Sequence, residues 1–289
     1  MVITRADGFQ GGLSRATVRQ RTEKHGQQQD VIQQTRAGGS PWAAIFQCLK
    51  SSMSVPDQST MQNRLLARLP GEEYQKIVSR MEKIQLRHGF VIVKADRPID
   101  YVYFLTSGIG SVITVSAGKH RAEAGMLGRE GFSPTSAGVG GTISVHEVLM
   151  QVEGDGYRMP LDSALVAISE NPTFANLLAR FIQTFASQIS YTALSNVNYQ
   201  IDARLARWLL MSHDRVDGDE IGLTHDFISL MLGVRRPSVT TALHVLEGMK
   251  LVRSERGRIT IRDRRGMEEF AGDSYGKPEE EYRRLIGEF

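Results

Sequence analysis

The sequence of 289 residues contains a single cysteine, Cys48, and no long hydrophobic run. One cysteine excludes an internal disulfide and any four-cysteine zinc or iron-sulfur site, and it fits a reducing compartment such as the cytoplasm. No stretch approaches the roughly 18 consecutive apolar residues that a membrane-spanning helix needs. We therefore expect a cytoplasmic protein that does not cross a membrane.

Net charge is also nearly absent, because 35 basic residues face 32 acidic ones and leave only +3. The distribution along the chain is more informative than the sum. Residues 228–265 contain nine Lys and Arg against three acidic residues, whereas residues 266–289 contain three basic and seven acidic residues. A basic segment directly followed by an acidic one predicts a nucleic-acid contact in the C-terminal part.

Residues 1–60 have little apolar character, since eleven of them are Leu, Ile, Val or Phe and nine are Gln. This apolar surface is too small to offset the entropy of ordering, so we expect a disordered N-terminal extension. Two origins stay open, a natural arm or an extension upstream of a true start at Met53 or Met61. The longest apolar run of this stretch, residues 42–46, is too short for the centre of a signal peptide.

Residues 61–170 predict a small antiparallel barrel or sandwich. Apolar spacing on either side of Pro70-Gly71 first predicts two short helices joined by a turn. Short β-rich runs separated by turn residues then follow one another without an intervening helical pattern. The predicted strands are residues 90–93, 101–105, 111–115, 148–152 and 164–166, and the predicted turns are residues 97–98, 107–108, 117–118 and 154–156.

A long helix is predicted for residues 171–198. Asn171 can cap it and Pro172 suits its first position. Apolar residues then recur at helical spacing as far as Val197, over about seven turns. Because this apolar stripe is wider than packing within one chain would use, we expect the helix to pair with a second copy in a homodimer.

Residues 199–270 predict a winged helix-turn-helix. After a helix at residues 201–213, Thr224 can cap a short helix and Gly233 can adopt the positive φ of a sharp turn. A second helix follows from about Arg236 to Met249, and two short strands flank a tip at residues 255–257. This order of elements is typical of a DNA-reading unit.

The second helix and the tip of the wing supply candidate DNA contacts. Arginine can donate two parallel hydrogen bonds to a guanine edge, while serine and threonine can reach a base or a phosphate. The free amides at the start of a helix favour phosphate, and the wing tip suits the DNA backbone. The candidates are Arg235, Arg236, Ser238, Thr240, Thr241 and His244 on the helix, and Arg256 and Arg258 on the wing.

Two segments resemble the Crp/Fnr family of bacterial transcription regulators. Residues 101–108, Tyr-Val-Tyr-Phe-Leu-Thr-Ser-Gly, are similar to a strand and turn of the family's barrel. Residues 232–239, Leu-Gly-Val-Arg-Arg-Pro-Ser-Val, are similar to its recognition motif. The resemblance implies an α+β protein with an N-terminal antiparallel β-barrel of the double-stranded β-helix, jelly-roll-like type, a long dimerisation helix and a C-terminal winged helix-turn-helix.

The resemblance also assigns roles to the parts of the chain. It makes residues 61–170 a cyclic-nucleotide-binding-like effector domain, 171–198 the dimerisation helix and 199–270 the DNA-binding domain. From the charge distribution we expect residues 271–289 to be an acidic tail. It implies a homodimer that binds a pseudo-palindromic operator in double-stranded DNA, with half-sites about 34 Å apart. RNA polymerase is a further candidate partner.

Within the recognition motif, the resemblance implies that Arg236 reads a base, Ser238 binds a phosphate and Arg235 lies beside the helix cap. The sequence departs from the family at two positions, where Pro237 and Thr241 replace the usual glutamate and second arginine. Proline offers no hydrogen bond and threonine is short. We therefore expect an operator sequence different from the familiar palindromes.

The family's cyclic-nucleotide motif does not occur in residues 131–147. This stretch contains neither the Gly-Glu-Leu run that binds the ribose nor the Arg-Ser/Thr-Ala run that binds the phosphate. We expect the domain to bind a different, unknown small molecule or to serve as a structural and dimerising module. The alternative is a cyclic-nucleotide sensor whose binding pocket has diverged from the family motif. Arg129, His146 and Arg158 are candidates for contact with an anionic effector if they face inward.

Motifs for cofactors and catalysis are missing as well. The single cysteine cannot supply the several that the family's oxygen sensor needs, and the sequence has no His-x-His pair for a metal-dependent oxygenase. Neither a complete phosphate-binding glycine motif nor a Gly-x-Ser-x-Gly elbow occurs. We expect no cofactor, no bound metal and no enzymatic activity.

Overall fold

A computed structural model describes residues 55–289, which form one compact unit. The predicted N-terminal extension lies outside these residues, apart from its last six. Gln58–Thr60 form a 3-10 turn, which Asp57 caps by accepting a hydrogen bond from the Ser59 amide. The Gln58 side chain donates to the Leu69 carbonyl at 2.6 Å. The folded part therefore begins earlier than residue 61.

The two predicted short helices are present as α1 (Arg64–Ala67) and α2 (Gly71–Val78). Asn63 caps α1 by accepting from the Leu66 amide. The same side chain donates to the carbonyls of Leu105 and Gly131, both at 2.9 Å. One buried asparagine therefore fixes the first helix to the strands that follow.

Nine strands follow in three sheets. Their order is β1-β9-β4, β2-β8-β5-β6 and β3-β7, and every pairing is antiparallel. Within residues 55–289 the sheets do not close into a continuous barrel. The strands are β1 (Glu82–Leu86), β2 (Val91–Val93), β3 (Arg97–Pro98), β4 (Tyr101–Leu105), β5 (Ile109–Val115), β6 (Arg121–Leu127), β7 (Ile143–Ser144), β8 (Glu147–Val152) and β9 (Gly154–Pro160).

Three local predictions in this region are wrong. Residues 164–166, expected as a strand, lie in helix α3 (Leu161–Glu170), because a three-residue apolar run carries no periodicity that separates a strand from a helix. Residues 97–98, expected as a turn, form β3. Residues 154–156, also expected as a turn, pair along β9, where a Cβ on Gly156 would lie 2.8 Å from the Phe104 carbonyl oxygen. Glycine here permits close strand approach.

The long helix α4 (Pro172–Asn198) closes one side of the strand domain, as the periodicity predicts. Its phenylalanines continue an aromatic cluster that starts in the sheet, with the ring centroids of Phe104 and Phe132 5.8 Å apart and those of Phe132 and Phe181 5.5 Å apart. A Cβ on Gly131 would lie 2.0 Å from the Phe181 ring. The absence of a side chain at Gly131 therefore lets α4 pack this closely.

The C-terminal domain begins with α5 (Ile201–His213), as predicted. The strand β10 (Glu220–Ile221), the helices α6 (His225–Leu232) and α7 (Arg236–Gly248), and the strands β11 (Val252–Glu255) and β12 (Arg258–Ile261) follow. These three strands form one antiparallel sheet in the order β10-β12-β11. The predicted order of helix, helix-turn-helix and wing is therefore present.

The last segment, expected as an acidic tail, is folded. It follows α8 (Arg264–Ala271), which belongs almost wholly to the predicted DNA-binding domain, and it forms α9 (Lys277–Leu285), which packs against α4. The Tyr282 side chain is 2% exposed and its hydroxyl donates to the Glu130 carbonyl at 2.9 Å. Arginine and lysine side chains of α9 pair with its own glutamates. Charge counting missed this segment because α9 is amphipathic, with Glu280 exposed to solvent and Glu279 buried together with Tyr282.

A buried ion pair joins the strand domain to the C-terminal domain. Glu130 and Arg215 lie 2.8 Å apart, with side chains only 2% and 1% exposed. The Gly128 amide also donates to Glu130, and Arg215 donates to the Met211 carbonyl at 2.6 Å. Each charge therefore has a charged partner and a backbone partner, which is what makes burial of two ions tolerable.

A second buried carboxylate lies at the same junction. Glu123 of β6 accepts hydrogen bonds from the Ser111 hydroxyl at 2.6 Å and from the Trp208 indole of α5 at 2.8 Å. Its burial raises the pKa to about 7, although these hydrogen bonds and the charges of Arg207 and Arg215 act in the opposite direction. Desolvation of the charged form is therefore the stronger effect.

Removal of one member of the buried pair should be costly. Glu130→Ala leaves Arg215 buried without its counter-ion and should lower the free energy of unfolding by roughly 3–5 kcal/mol in urea titration. Glu269→Ala is the matched control, because its partner Arg265 is 89% exposed and the pair should contribute under about 1 kcal/mol. Equal losses in the two variants would contradict the assignment.

Glu123 should make stability depend on pH. Because its pKa is raised in the folded state from the ordinary value of 4.5, the folded chain binds this proton more tightly than the unfolded chain does. The contribution of Glu123 to the free energy of unfolding therefore falls as the pH rises from about 4.5 to about 7. Above that range the carboxylate is charged in both states, and the full cost of burying its charge is present. Relative to Glu123→Gln, the wild type should lose roughly 3 kcal/mol across this window. Parallel pH curves for the two proteins would show that the carboxylate is not desolvated.

Candidate nucleic-acid interface

The helix-turn-helix is built from α6 and α7. Thr224 caps α6 by accepting from the Phe227 amide at 3.3 Å. Gly233 ends α6 with φ of 64°, in the left-handed region that glycine enters without strain. Ile228 and Val239 are fully buried between the two helices. The cap, the glycine and the apolar contact together set the angle at which α7 leaves the turn.

The predicted contact residues lie at the start and along the solvent side of α7. Arg235 is the N-cap residue, in extended conformation, and Arg236 is the first helical residue. Proline follows at position 237, where no backbone donor is needed. The opposite side of the helix is buried through Ala242, Leu243 and Leu246. Arg235, Arg236, Thr241 and His244 are exposed, and Ser238 and Thr240 are half-buried. The candidates divide between two sides of the helix, since Arg236 and His244 face the wing whereas Ser238 and Thr241 line a pocket beside the start of α5.

Several of these polar groups already have partners. Nη1 of Arg236 donates to both carboxylate oxygens of Asp226, each at 3.0 Å. The hydroxyls of Thr240 and Thr241 donate to the carbonyls four residues earlier, at 3.3 and 3.1 Å. By contrast, the guanidinium of Arg235 has no hydrogen-bond partner among residues 55–289. Arg235 and the remaining donors of Arg236 are therefore the available cations at the helix start.

The two candidate arginines of the wing lie in different settings. Arg256 is exposed at the tip, beside Gly257 with φ of 75°. Arg258 pairs with Glu220 at 3.3 Å and with Glu255, and the Arg258 side chain is the main cause of a lowered pKa at Glu255. Arg256 is therefore the wing residue whose charge is not neutralised within the described part of the chain.

A groove of about 760 Å³ lies between α7 and the wing. Arg236 and His244 line it from α7, and Arg256 from the wing. Its walls also contain the acidic residues Asp226 and Glu255. Sequence reasoning missed Asp226, because it lies ten residues before Arg236 and no periodicity relates the two positions.

The three candidates for effector contact do not converge. Arg129 pairs with Asp217 of the C-terminal domain at 2.8 Å. Arg158 lies on β9, where it pairs with Glu82 of β1 at 2.6 Å. Its guanidinium carbon lies 4.2 Å from the centre of the Tyr101 ring. A single anion site shared by these residues is therefore not formed.

The third candidate, His146, lines a cavity of about 150 Å³ between the strand domain and α4. Burial lowers the pKa of this histidine, which favours the neutral ring. The hydroxyl of Ser133 is buried at the same cavity, without a partner among residues 55–289. The other lining residues are Val112, Pro134, Thr135, Ser136, Val139, Ser144, Val145, Val148 and Ile182. None of the lining residues is Asp, Glu, Lys or Arg.

Comparison with protein families gives a match for residues 203–270, to the model of the Crp-like helix-turn-helix domain. These residues are a Crp-like helix-turn-helix domain. The Crp-like domain spans α5 to α8 and contains both arginines of the α7 start and the whole wing. No curated protein sequence matches the chain significantly.

Solved structures share the fold over most of their length. FixK2 from Bradyrhizobium japonicum has a TM-score of 0.57 and 16% identity, over 66% of this chain and 98% of that chain. A transcriptional regulator of the CRP family from Thermus thermophilus has a TM-score of 0.56 and 16% identity, over 65% and 96%. The c-di-GMP-responsive global regulator CLP of Xanthomonas campestris has a TM-score of 0.53 and 11% identity, over 66% and 99%. The predicted resemblance to the Crp/Fnr family and the predicted fold class are confirmed.

The helices of residues 55–289 include none with the length and apolar character required to span a bilayer.

Proposed function

We propose that the protein is a sequence-specific, DNA-binding transcription regulator of the Crp/Fnr type that acts as a homodimer. The observation that carries this proposal is the exposed basic start of α7 beside an arginine-tipped wing in a Crp-like domain. Arg236 reads a base edge in the major groove, while Ser238 and the amides at the helix start bind phosphate. Arg256 contacts the DNA backbone from the wing.

The remaining predicted contacts have smaller roles. Arg235 lies at the N-cap and adds a second cation beside Arg236. His244 lines the groove and Thr241 is exposed on α7, whereas the Thr240 hydroxyl is already bonded to the Arg236 carbonyl and lies 3.2 Å from the His225 ring. Arg258 is largely neutralised by Glu220 and Glu255, so it supports the geometry of the wing more than it attracts phosphate.

A stripe on α4 supports the homodimer. Residues 175, 179, 182, 186, 189 and 193 alternate spacings of four and three, which is the heptad pattern of a coiled coil. All six are Ala or Ile, and they are exposed or half-buried. Ile182 and Ile189 cover only part of their surface against the core of their own domain. Small side chains at alternating positions allow two such helices to approach closely. A second copy of α4 covers this stripe in the proposed dimer.

The cavity beside α4 is the proposed site of an effector. Its walls carry hydroxyls, a neutral histidine and aliphatic side chains but no charged group, which supports an uncharged effector rather than a cyclic nucleotide. Calorimetric titration with cyclic AMP tests this point, and micromolar binding would favour the divergent nucleotide sensor instead. RNA polymerase is a proposed partner on the family resemblance alone.

The assignment of Arg236 predicts a loss of sequence preference. Arg236→Ala should weaken binding to a duplex selected by the wild type by roughly 1–3 kcal/mol and should relax preference at one base pair of each half-site, measured by gel-shift titration. Arg256→Ala should instead weaken binding uniformly across sequences and reduce the salt slope by about one. Unchanged affinity and preference in Arg236→Ala would overturn this role.

The proposed dimer predicts that a charge in the α4 stripe separates the protomers. Ile189→Glu should shift the particle from dimer to monomer in sedimentation equilibrium, because two carboxylates would face each other across the two-fold axis. Leu194→Glu is the matched control, since Leu194 is 45% exposed on the same helix but lies outside the stripe. A wild-type protein that sediments as a monomer would contradict the proposal.

A further inference from the structure

We propose that Asp226 is a positioning residue that fixes the guanidinium of Arg236 and thereby narrows the choice of base at that position. This inference rests on the proposed DNA binding, because it concerns how one of its contacts becomes selective. Nothing in the recognition helix itself holds Arg236 in this orientation. The next residue is Pro237, whose side chain has no polar atom.

The ion pair uses only part of the arginine. Both hydrogen bonds to Asp226 come from Nη1, each at 3.0 Å. The structure gives Nη2 and Nε no partner among the residues it describes, so one edge of the guanidinium stays available. A guanine edge presents two acceptors, N7 and O6, which suit two parallel donors of one arginine. Asp226 can therefore hold Arg236 without blocking its base-reading edge.

Asp226 is a well-anchored partner. It lies in the first turn of α6, whose N-terminus Thr224 caps, and its carbonyl accepts from the Ser229 hydroxyl at 2.7 Å. The helix macrodipole stabilises a negative charge at this end of α6. Ile228 of the same turn is fully buried. A short side chain on a fixed turn thus restrains a long, flexible one.

Such restraint affects selectivity more than affinity. A free arginine loses considerable side-chain entropy when it is fixed in one geometry on DNA. A guanidinium that is already held in that geometry loses less entropy on binding. At 62% and 68% side-chain exposure the pair adds little to the stability of the free protein. Asp226 also places a negative charge near phosphate, which opposes binding to any sequence. We therefore expect Asp226 to reduce general affinity and to increase discrimination.

The experiment measures base preference in full-length Asp226→Asn. The reference duplex is the one that the wild type selects. In each of the other duplexes one base pair of both half-sites is changed, and the protein is titrated into every duplex at the same salt concentration. The position read by Arg236 is defined by the loss of preference in Arg236→Ala. Wild type should discriminate there by roughly five- to 100-fold, and Asp226→Asn should lose a factor of about two to five of this discrimination, at this position alone. Its binding to unrelated duplexes should become tighter.

Glu247→Gln is the matched control. It removes one negative charge from the same groove, and its amide oxygen can still accept from the Ser254 amide. This variant should bind all duplexes more tightly and keep its discrimination. The same result in Asp226→Asn would reduce Asp226 to a general electrostatic effect and overturn the proposal.

Two further outcomes have distinct meanings. Loss of preference at a position that Arg236→Ala does not affect would show that Asp226 reads a base itself, which also overturns positioning. Absence of any sequence preference in the wild type would instead reject the proposed function, and the inference with it. In the double variant, Asp226→Asn should cause no further loss of preference beyond that of Arg236→Ala.

Discussion

The arrangement of the molecule depends on the ion pair between Glu130 and Arg215. Glu130 follows the last residues of β6 and Arg215 follows α5, so the pair joins the strand domain to the Crp-like domain. Removing either charge from water costs several kcal/mol, and only a close, well-bonded partner offsets that cost. A shift of one domain that is too small to admit water would leave both charges buried without their partner. The pair therefore strongly favours one placement of the DNA-reading elements.

Other contacts at this junction connect the same elements. Gln188 of α4 accepts from the Met126 amide and donates to the Met126 carbonyl, so the long helix is bonded to β6. Arg207 of α5 donates to the Ser274 carbonyl, and Tyr282 of α9 donates to Glu130. Trp208 of α5 donates to Glu123 of β6, so the helix proposed for dimerisation and the domain proposed for DNA binding contact a common strand. The charges of the α7 start, in contrast, remain at the surface, where they can bind DNA without prior desolvation by the protein.

The periodic parts of the fold could be predicted from the sequence. The helices at residues 172–198 and 201–213 have long apolar repeats, and the residues of β4 form an uninterrupted β-rich run. Capping by Thr224 and the turn at Gly233 were also predictable, because each residue type has a specific local role. The eight candidates for DNA contact do lie on α7 and the wing, although their role in binding stays a prediction.

The remaining features depend on contacts between distant positions. Glu130 and Arg215 are 85 residues apart, and no local pattern indicates that two charged residues will be buried together. The packing of α9 was hidden by its charge, and Asp226 resembles any acidic residue in a first helical turn until Arg236 is placed beside it. Arg129 and Arg158 were chosen for their charge, but acidic partners and the Tyr101 ring hold them away from the cavity.

We propose that two copies of the Crp-like domain read DNA together, and selection of bound duplexes from a random pool by the full-length protein tests this most directly. We expect a motif with two-fold symmetry whose half-site centres lie about one helical turn, roughly 10 base pairs, apart. Recovery of sequences without a shared motif, or of one unpaired half-site, would contradict it.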